Sequence, residues 1–315
     1  MILYLAIILV LVELVYFKIA DNYNIIDKPN DRSSHKNITL RGGGIIFYIG
    51  ALLYFLFYGF SYPLFSLGLT LIAIISFLDD IKTVNSKIRI LVHFTAMLLM
   101  FYDCGLYSLP WYFTLAALIV STGIINAYNF MDGINGITGG YSLVVMASFW
   151  YINNNIIFFI DNNLIYVISL SLLVFNFFNF RKRAKCFAGD VGSVSIAFII
   201  VFLLGKLIVQ TQDLTYIILL LVYGVDSILT IVHRIILKEN IFVAHRKHLY
   251  QIMSNELNIL QIYVTIVYMA IQMGIMVGYF AFQSYSVWYF FVSASILAIL
   301  YTQFMRKYFR LNLNS

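Results

Sequence analysis

Four carboxylates stand at the edges of apolar runs, where a hydrophobic chain has little reason to keep them. Asp79 and Asp80 close one run, Asp132 follows another, and Asp190 opens a third. Around Asp132, the residues Asn126, Asn129, Asp132 and Asn135 are spaced three apart, which on a helix makes one slanting polar stripe. A carboxylate and three amides at a membrane boundary are costly unless they bind something. Helix capping by Asn and Gly is the competing use of such residues. The adjacent carboxylates Asp79 and Asp80 repel each other, and a divalent cation or a shared proton relieves that repulsion. Asp190 lies beside Gly189, Gly192 and Ser193, which could equally cap a helix, and it follows the cations Arg181, Lys182, Arg183 and Lys185. Carboxylates and amides are hard oxygen ligands suited to Mg²⁺. Mg²⁺ together with Arg, Lys and His is a recurrent arrangement for holding a diphosphate during phosphoryl transfer.

Donors to such a phosphate are present in two further stretches. Arg41 ends a loop carrying Lys28, Arg32 and Lys36, and it precedes Gly42, Gly43 and Gly44. Glycines at a helix start let backbone N–H groups approach an anion, or let two helices approach each other. The second stretch is His245-Arg246-Lys247-His248, whose two histidines would share a helix face. Such a pair can bind zinc, but the flanking cations favour donation to phosphate oxygens. Phe187, three residues before Asp190, is placed to turn its ring toward the same pocket.

The elements that must position these residues are membrane helices. The chain has 315 residues and is 62% hydrophobic with only 11% charged residues, which excludes a soluble globule. Apolar segments run over residues 2–20, 43–61, 63–78, 88–103, 110–127, 137–152, 163–178, 191–210, 214–235, 258–282 and 285–305. The expected architecture is all-α and polytopic, one membrane domain over residues 1–315 with about eleven crossings, ten being the alternative count. With eleven, every Lys and Arg except Lys206 falls on one side, Arg310 included. The positive-inside rule makes that side cytoplasmic, with the N-terminus outside and the four carboxylates at the inner boundary. The first segment carries Glu13 and lacks a basic n-region, so it reads as an uncleaved span. Cys104 and Cys186 fall on opposite faces, so neither a disulfide nor a thiolate metal site follows.

Five ordered stretches between residues 26 and 251 carry a resemblance. They are Asp27-Lys-Pro-Asn with Arg41-Gly-Gly-Gly; Asp79-Asp80 with Arg89; Asn126 through Asn135 with Gly136; Phe187 through Ser193; and His245 through Gln251. In these the chain resembles the polyprenyl-phosphate N-acetylhexosamine-1-phosphate transferases, on the surface-polysaccharide branch more than the peptidoglycan branch. The resemblance implies Asp190 as the chief Mg²⁺ ligand, with Mn²⁺ as the alternative ion. It implies that Asp79 and Asp80 serve the metal and activate a lipid phosphate, either one acting as base. It places Asp132 among the catalytic residues, facing the nucleotide with Asn126, Asn129 and Asn135. It puts Phe187 against uracil, and Arg41, Arg89, His245, Arg246 and His248 on phosphates or sugar. The implied partners are undecaprenyl phosphate, a UDP-HexNAc carrying GlcNAc or a 6-deoxy sugar, and the bacterial inner membrane. A homodimer stays open, and no nucleic acid is involved.

The chain departs from the family pattern at several positions. Asn135 stands where the family often has Asp, Leu40 and Arg183 replace prolines, His93 replaces Gln, and His233 replaces Arg. Asn179 lies one residue further from Phe187 than the pattern has it. Two other functions compete with this one. Phospho-MurNAc-pentapeptide transfer belongs to the same family, and a transporter or flippase would also use membrane acids and basic loops. Transport sites lie near the midplane, however, whereas these acids sit at one face.

Overall fold

A computed structural model describes residues 1–29, 38–241 and 245–308 of the chain. The basic-loop positions Arg32 and Lys36, and Arg310 at the C-terminal end, lie outside the described residues. The structure begins with α1 (Ile2–Asn22), then a two-strand hairpin of β1 (Ile26–Asp27) and β2 (Thr39–Leu40), then α2 (Ile45–Phe57) and α3 (Pro63–Ile81). There follow α4 (Ser86–Cys104), α5 (Trp111–Met131), α6 (Ile137–Asn155), α7 (Asn162–Asn179) and α8 (Gly189–Thr211). The chain continues through a 3-10 turn into α9 (Leu221–Ile236), the short α10 (Leu249–Gln251), α11 (Gln261–Ala281) and α12 (Ser286–Tyr308). Every apolar segment read from the sequence is a helix, so the all-α polytopic reading is borne out. Eight of these helical segments are long and apolar enough to cross a membrane by themselves. By contrast, α2 has 13 residues, about 20 Å of helix against a hydrocarbon core of about 30 Å.

The core is built around α8. Its side chains from Val191 to Leu204 are buried with little interruption, as expected of a helix that is apolar on all sides and enclosed by others. Phe202 of α8 stacks on Phe65 of α3 at a 4.0 Å centroid separation, and Phe47 of α2 meets Phe175 of α7 edge-on at 5.1 Å. The outer helices are the reverse case: α12 leaves Trp288, Phe291 and Leu300 exposed, the surface a lipid would cover. Cys104 and Cys186 are free and buried.

The three glycines after Arg41 are filled by protein. The N–H of Gly43 is donated to the carbonyl of Phe187 and that of Gly44 to the carbonyl of Ala188. A Cβ on Gly44 would lie 2.3 Å from Gly192 Cα. These glycines therefore let the start of α2 cross the start of α8 at close range, which corrects the anion-cradle reading in favour of helix contact. The hairpin is short but matters for position. Ile26 pairs with Leu40 and Asp27 with Thr39, and Leu40 also bridges to Cys186 just before α8. Arg41 is thereby delivered to the ends of α3 and α8.

Candidate active site

At one end of the bundle, the C-terminus of α3 meets the N-termini of α4 and α8. Asp79 and Asp80 are neighbours in sequence but point to different partners. Asp79 accepts from the N–H of Val84 at 2.7 Å and pairs with the guanidinium of Arg89 in α4. The Asp80 side chain is fully buried, and its two oxygens accept from the N–H groups of Asp190 and Val191, each at 2.9 Å. Asp80 thus caps α8 from a different helix, satisfying donors that α8 cannot satisfy itself. Arg41 donates its Nε to Asp80 at 2.6 Å and reaches Asp190 with Nη2 at 3.4 Å. The mutual repulsion expected of the two aspartates is thus relieved by two arginines and a helix terminus.

Asp190 needs no role as a cap, because Asp80 takes the N–H groups of that turn. Its carboxyl instead lies beside that of Asp79, near enough for the two to influence each other's charge. Gly189 has φ +71°, and a Cβ there would meet the Asp80 carboxylate at 2.6 Å, so the turn that aims Asp190 requires glycine. Two carboxylates in mutual reach, with arginines on either side, fit a divalent cation held by few protein ligands. Among the described residues no cluster of three or more His, Cys, Asp or Glu side chains forms a fuller cage. A cation here would therefore take its remaining ligands from water and phosphate, as Mg²⁺ commonly does.

The Asn/Asp stripe is only half helical. Helix α5 ends at Met131, so Asn126 and Asn129 sit on it while Asp132 and Asn135 lie in the turn beyond. Asn126 is exposed, and Asn129 accepts from the hydroxyl of Ser193 in α8 at 2.8 Å. Asp132 accepts from the hydroxyl of Thr138 at 2.6 Å. Burial, opposed by that hydrogen bond, pushes the Asp132 carboxyl up to about 6. Asn135 is buried: its side chain donates to the carbonyl of Arg181 at 2.9 Å, and its N–H is donated to Gln261 at 3.0 Å. Asn179 holds the same junction, accepting from the N–H of Gly136 and donating to the carbonyl of Cys186. Asn135 and Phe187 line one cavity of about 740 Å³ together with Thr39, Lys182, Arg183 and Gln261. The acidic group does not line that cavity.

The histidine stretch is not helical as its spacing suggested, because α10 begins only at Leu249. The His245 and His248 rings nevertheless stack, with centroids 5.0 Å apart, close to Phe130 at the end of α5. Burial, followed by the neighbouring His248 and Arg234, pushes the His245 imidazole down to about 3. It is therefore neutral at pH 7. Its Nδ1 accepts from the N–H of Lys247 at 3.3 Å, which leaves Nε2–H as the donor. Arg246 lies half-buried in the same turn. Glu239 braces the loop, accepting from Lys247 at 2.5 Å and from Arg234 at 3.1 Å. Sequence reasoning missed Thr138, Ser193 as a partner of Asn129, and the bracing role of Glu239. Only the Gly-Ser ending of the Asp190 motif hinted at any of them.

The model of glycosyl transferase family 4 matches residues 62–209, which run from α3 to α8 and hold all four carboxylates and Arg89. Arg41 and the histidine stretch lie outside that match. A probable undecaprenyl-phosphate N-acetylglucosaminyl 1-phosphate transferase of Bacillus subtilis (strain 168) is 25% identical, over 78% of this chain and 75% of its own length. Undecaprenyl-phosphate alpha-N-acetylglucosaminyl 1-phosphate transferases of Yersinia pestis and Escherichia coli (strain K12) are 30% and 28% identical, each over 59% of this chain. The chain spans 56% of the length of each of these two relatives. The match covers the helices that carry the acidic group, and the relatives come from the kind of transferase that the motifs resemble: over residues 62–209 the chain is similar to glycosyl transferase family 4.

Proposed function

We propose that this protein transfers HexNAc-1-phosphate from a UDP-HexNAc to undecaprenyl phosphate at the cytoplasmic edge of a bacterial inner membrane. The sugar is GlcNAc or a 6-deoxy-HexNAc, the products are the diphospholipid sugar and UMP, and the step starts a surface polysaccharide. The observation that carries this reading is the meeting of Asp79 and Asp190, flanked by Arg89 and Arg41, at one end of an apolar bundle. Such a place suits one lipid substrate and one soluble nucleotide, and bringing them together does much of the work. An oxygen of the lipid phosphate attacks the β-phosphorus. The bond from that phosphorus to the bridging oxygen breaks, and UMP leaves with the electron pair.

The residues act chiefly by position and charge. Asp79 and Asp190 would hold Mg²⁺, and that ion when bound would supply charge neutralisation on the diphosphate. Arg41 and Arg89 hold the phosphates from either side of the carboxylates. Asp80 works mainly by fixing Arg41 and the start of α8. Phe187 offers its ring to the uracil from the cavity it shares with Asn135. His245 donates through Nε2 as a neutral group, and Arg246 adds the fixed charge. Asp132 and Asn129 accept from the nucleotide.

One experiment tests both the reaction and its side. Sealed membrane vesicles of either orientation are given a panel of radiolabelled UDP-sugars, and the lipid fraction is counted. Label is expected in lipid only from a small UDP-HexNAc, and only in inside-out vesicles, because a UDP-sugar does not cross the bilayer. Label from UDP-MurNAc-pentapeptide alone would move the protein to the peptidoglycan branch. Label in right-side-out vesicles alone would reverse the topology.

A pH effect tests the part assigned to Asp132. Its carboxyl ionises near pH 6, so kcat/KM for the UDP-sugar is expected to fall as pH drops below that value. Thr138→Val removes the hydroxyl that stabilises the charged form. The acid limb should then move to higher pH by about one unit, the worth of one hydrogen bond to a charged group. An acid limb at the same pH in both proteins would remove Asp132 from the step being measured.

A further inference from the structure

Asp226 belongs to no motif above, yet it is one of the most heavily bonded side chains in the protein. It lies in α9 and is 2% exposed. Its Oδ1 accepts from the N–H of Leu249 at 3.0 Å and from the Thr230 hydroxyl at 3.2 Å, and it faces His248 Nδ1 at 3.3 Å. Its Oδ2 accepts from the Tyr268 hydroxyl at 2.6 Å and lies 3.5 Å from the Tyr250 nitrogen. One carboxylate thus organises the whole turn that follows the histidine stretch. Tyr250, in that turn, donates its hydroxyl to the carbonyl of Phe130 at 2.8 Å, two residues before Asp132. The turn is therefore tied at one end to Asp226 and at the other to the tip of α5.

The two nitrogens of His248 have different surroundings. Nδ1 faces the carboxylate, while Nε2 is buried without a hydrogen-bond partner among the described residues. A buried polar atom left unpaired is costly, and it calls for a partner such as a water, an ion or a group of a ligand. The backbone N–H of Gln251 also approaches the His248 side chain, in a capping-box arrangement. That contact would prefer a bare Nδ1. An ionised carboxylate is the stronger partner for a ring N–H, so the Nδ1–H form wins.

We propose that Asp226 is a positioning residue for His248, holding the imidazole proton on Nδ1 so that the Nε2 lone pair meets a hydroxyl or amide N–H of the bound substrate. This rests on the reading of His248 as a substrate-holding residue. It adds that His248 accepts a hydrogen bond where His245 donates one. Asp226 does not touch substrate and acts only through the ring.

The test combines a mutant cycle with a spectroscopic readout. Asp226→Asn, His248→Ala and the double variant are compared by kcat and by KM for the UDP-sugar. Tyr268→Phe serves as the control, because it removes a bond to Asp226 without touching His248. Asp226→Asn is expected to lower kcat by roughly 10- to 100-fold, the scale on which outer partners of a functional histidine act. The double variant should be no slower than His248→Ala, and Tyr268→Phe should stay within a few-fold of the parent. The chain has 5 histidines, so ¹⁵N-histidine spectra of the detergent-solubilised protein can be assigned by substitution. In the parent, His248 should show a protonated Nδ1 and a bare Nε2, and Nε2 should shift when a UDP-sugar binds. A bare Nδ1 in the parent overturns the proposal even if Asp226→Asn does not fold. Losses that multiply in the double variant also overturn it, with the reading of His248 left intact. Near-normal transfer by His248→Ala sinks that reading itself.

Discussion

Asp190→Asn is expected to lower HexNAc-1-phosphate transfer by about 10²–10³-fold, the usual loss when one preorganised charge is removed from a transition state. Asn preserves the shape of the side chain and the 3.4 Å approach of Arg41. It also leaves α8 capped, because the first N–H groups of that helix bond to Asp80. What the substitution removes is the negative charge facing Asp79. If that charge holds a divalent cation, the Mg²⁺ concentration needed for half-maximal rate should rise as well, and Asp79→Asn should behave likewise. The measurement is transfer of labelled sugar phosphate to lipid across a Mg²⁺ titration, at matched protein levels. A rate near that of the parent with an unchanged Mg²⁺ requirement would remove Asp190 from the metal site.

Asp80→Ala should lower both stability and rate. Asp80 is a fully buried carboxylate whose ion pair and two backbone bonds join α3, the hairpin and α8. Removing one partner of a buried pair costs about 3 kcal/mol or more, because the remaining charge and donors stay desolvated. Arg41 is one-third exposed in this pair, which places the expected loss at the lower end of that range. Thermal unfolding in detergent should show the loss, and transfer should fall with it as Arg41 loses its anchor. Asp80→Asn keeps an acceptor for the α8 N–H groups and should be the milder change, with the Mg²⁺ requirement unaltered. An unchanged melting temperature in Asp80→Ala, together with lost activity, would make Asp80 a substrate or metal group and not a strut.

The contrast between these two aspartates shows where reading the chain stops. Asp79 and Asp80 look equivalent in sequence, and both were expected to serve metal and base. Consecutive side chains on a helix diverge by about 100°, so a pair at a helix end faces two different neighbours. Only the packing of α3 against α4 and α8 decides that one neighbour is Arg89 and the other a helix terminus. Asn135 and Asn179 make the same point. Each looks like a departure from a family pattern, and each holds the junction between the α5–α6 turn and the α7–α8 loop. Asp226 is conspicuous only as an acid inside an apolar run; its role was not legible, because its partners lie between 4 and 42 residues away.

What the sequence by itself determined is where the helices run and where each one ends. A bilayer demands apolar runs of a set length, so the ends of those runs mark its boundaries, and the bias of Lys and Arg tells one boundary from the other. Most of the helical segments, and the placing of four carboxylates at the edges of their runs, follow from that one-dimensional rule; the 13-residue α2 does not. Position within the plane of the membrane is a different matter, set by which helices pack together and how each is rotated. That depends on close approaches such as Gly44 on Gly192 and on the burial of α8 among its neighbours. Tertiary structure alone therefore decided which carboxylate faces which partner, and that α8, buried at the centre, carries Asp190 at its mouth.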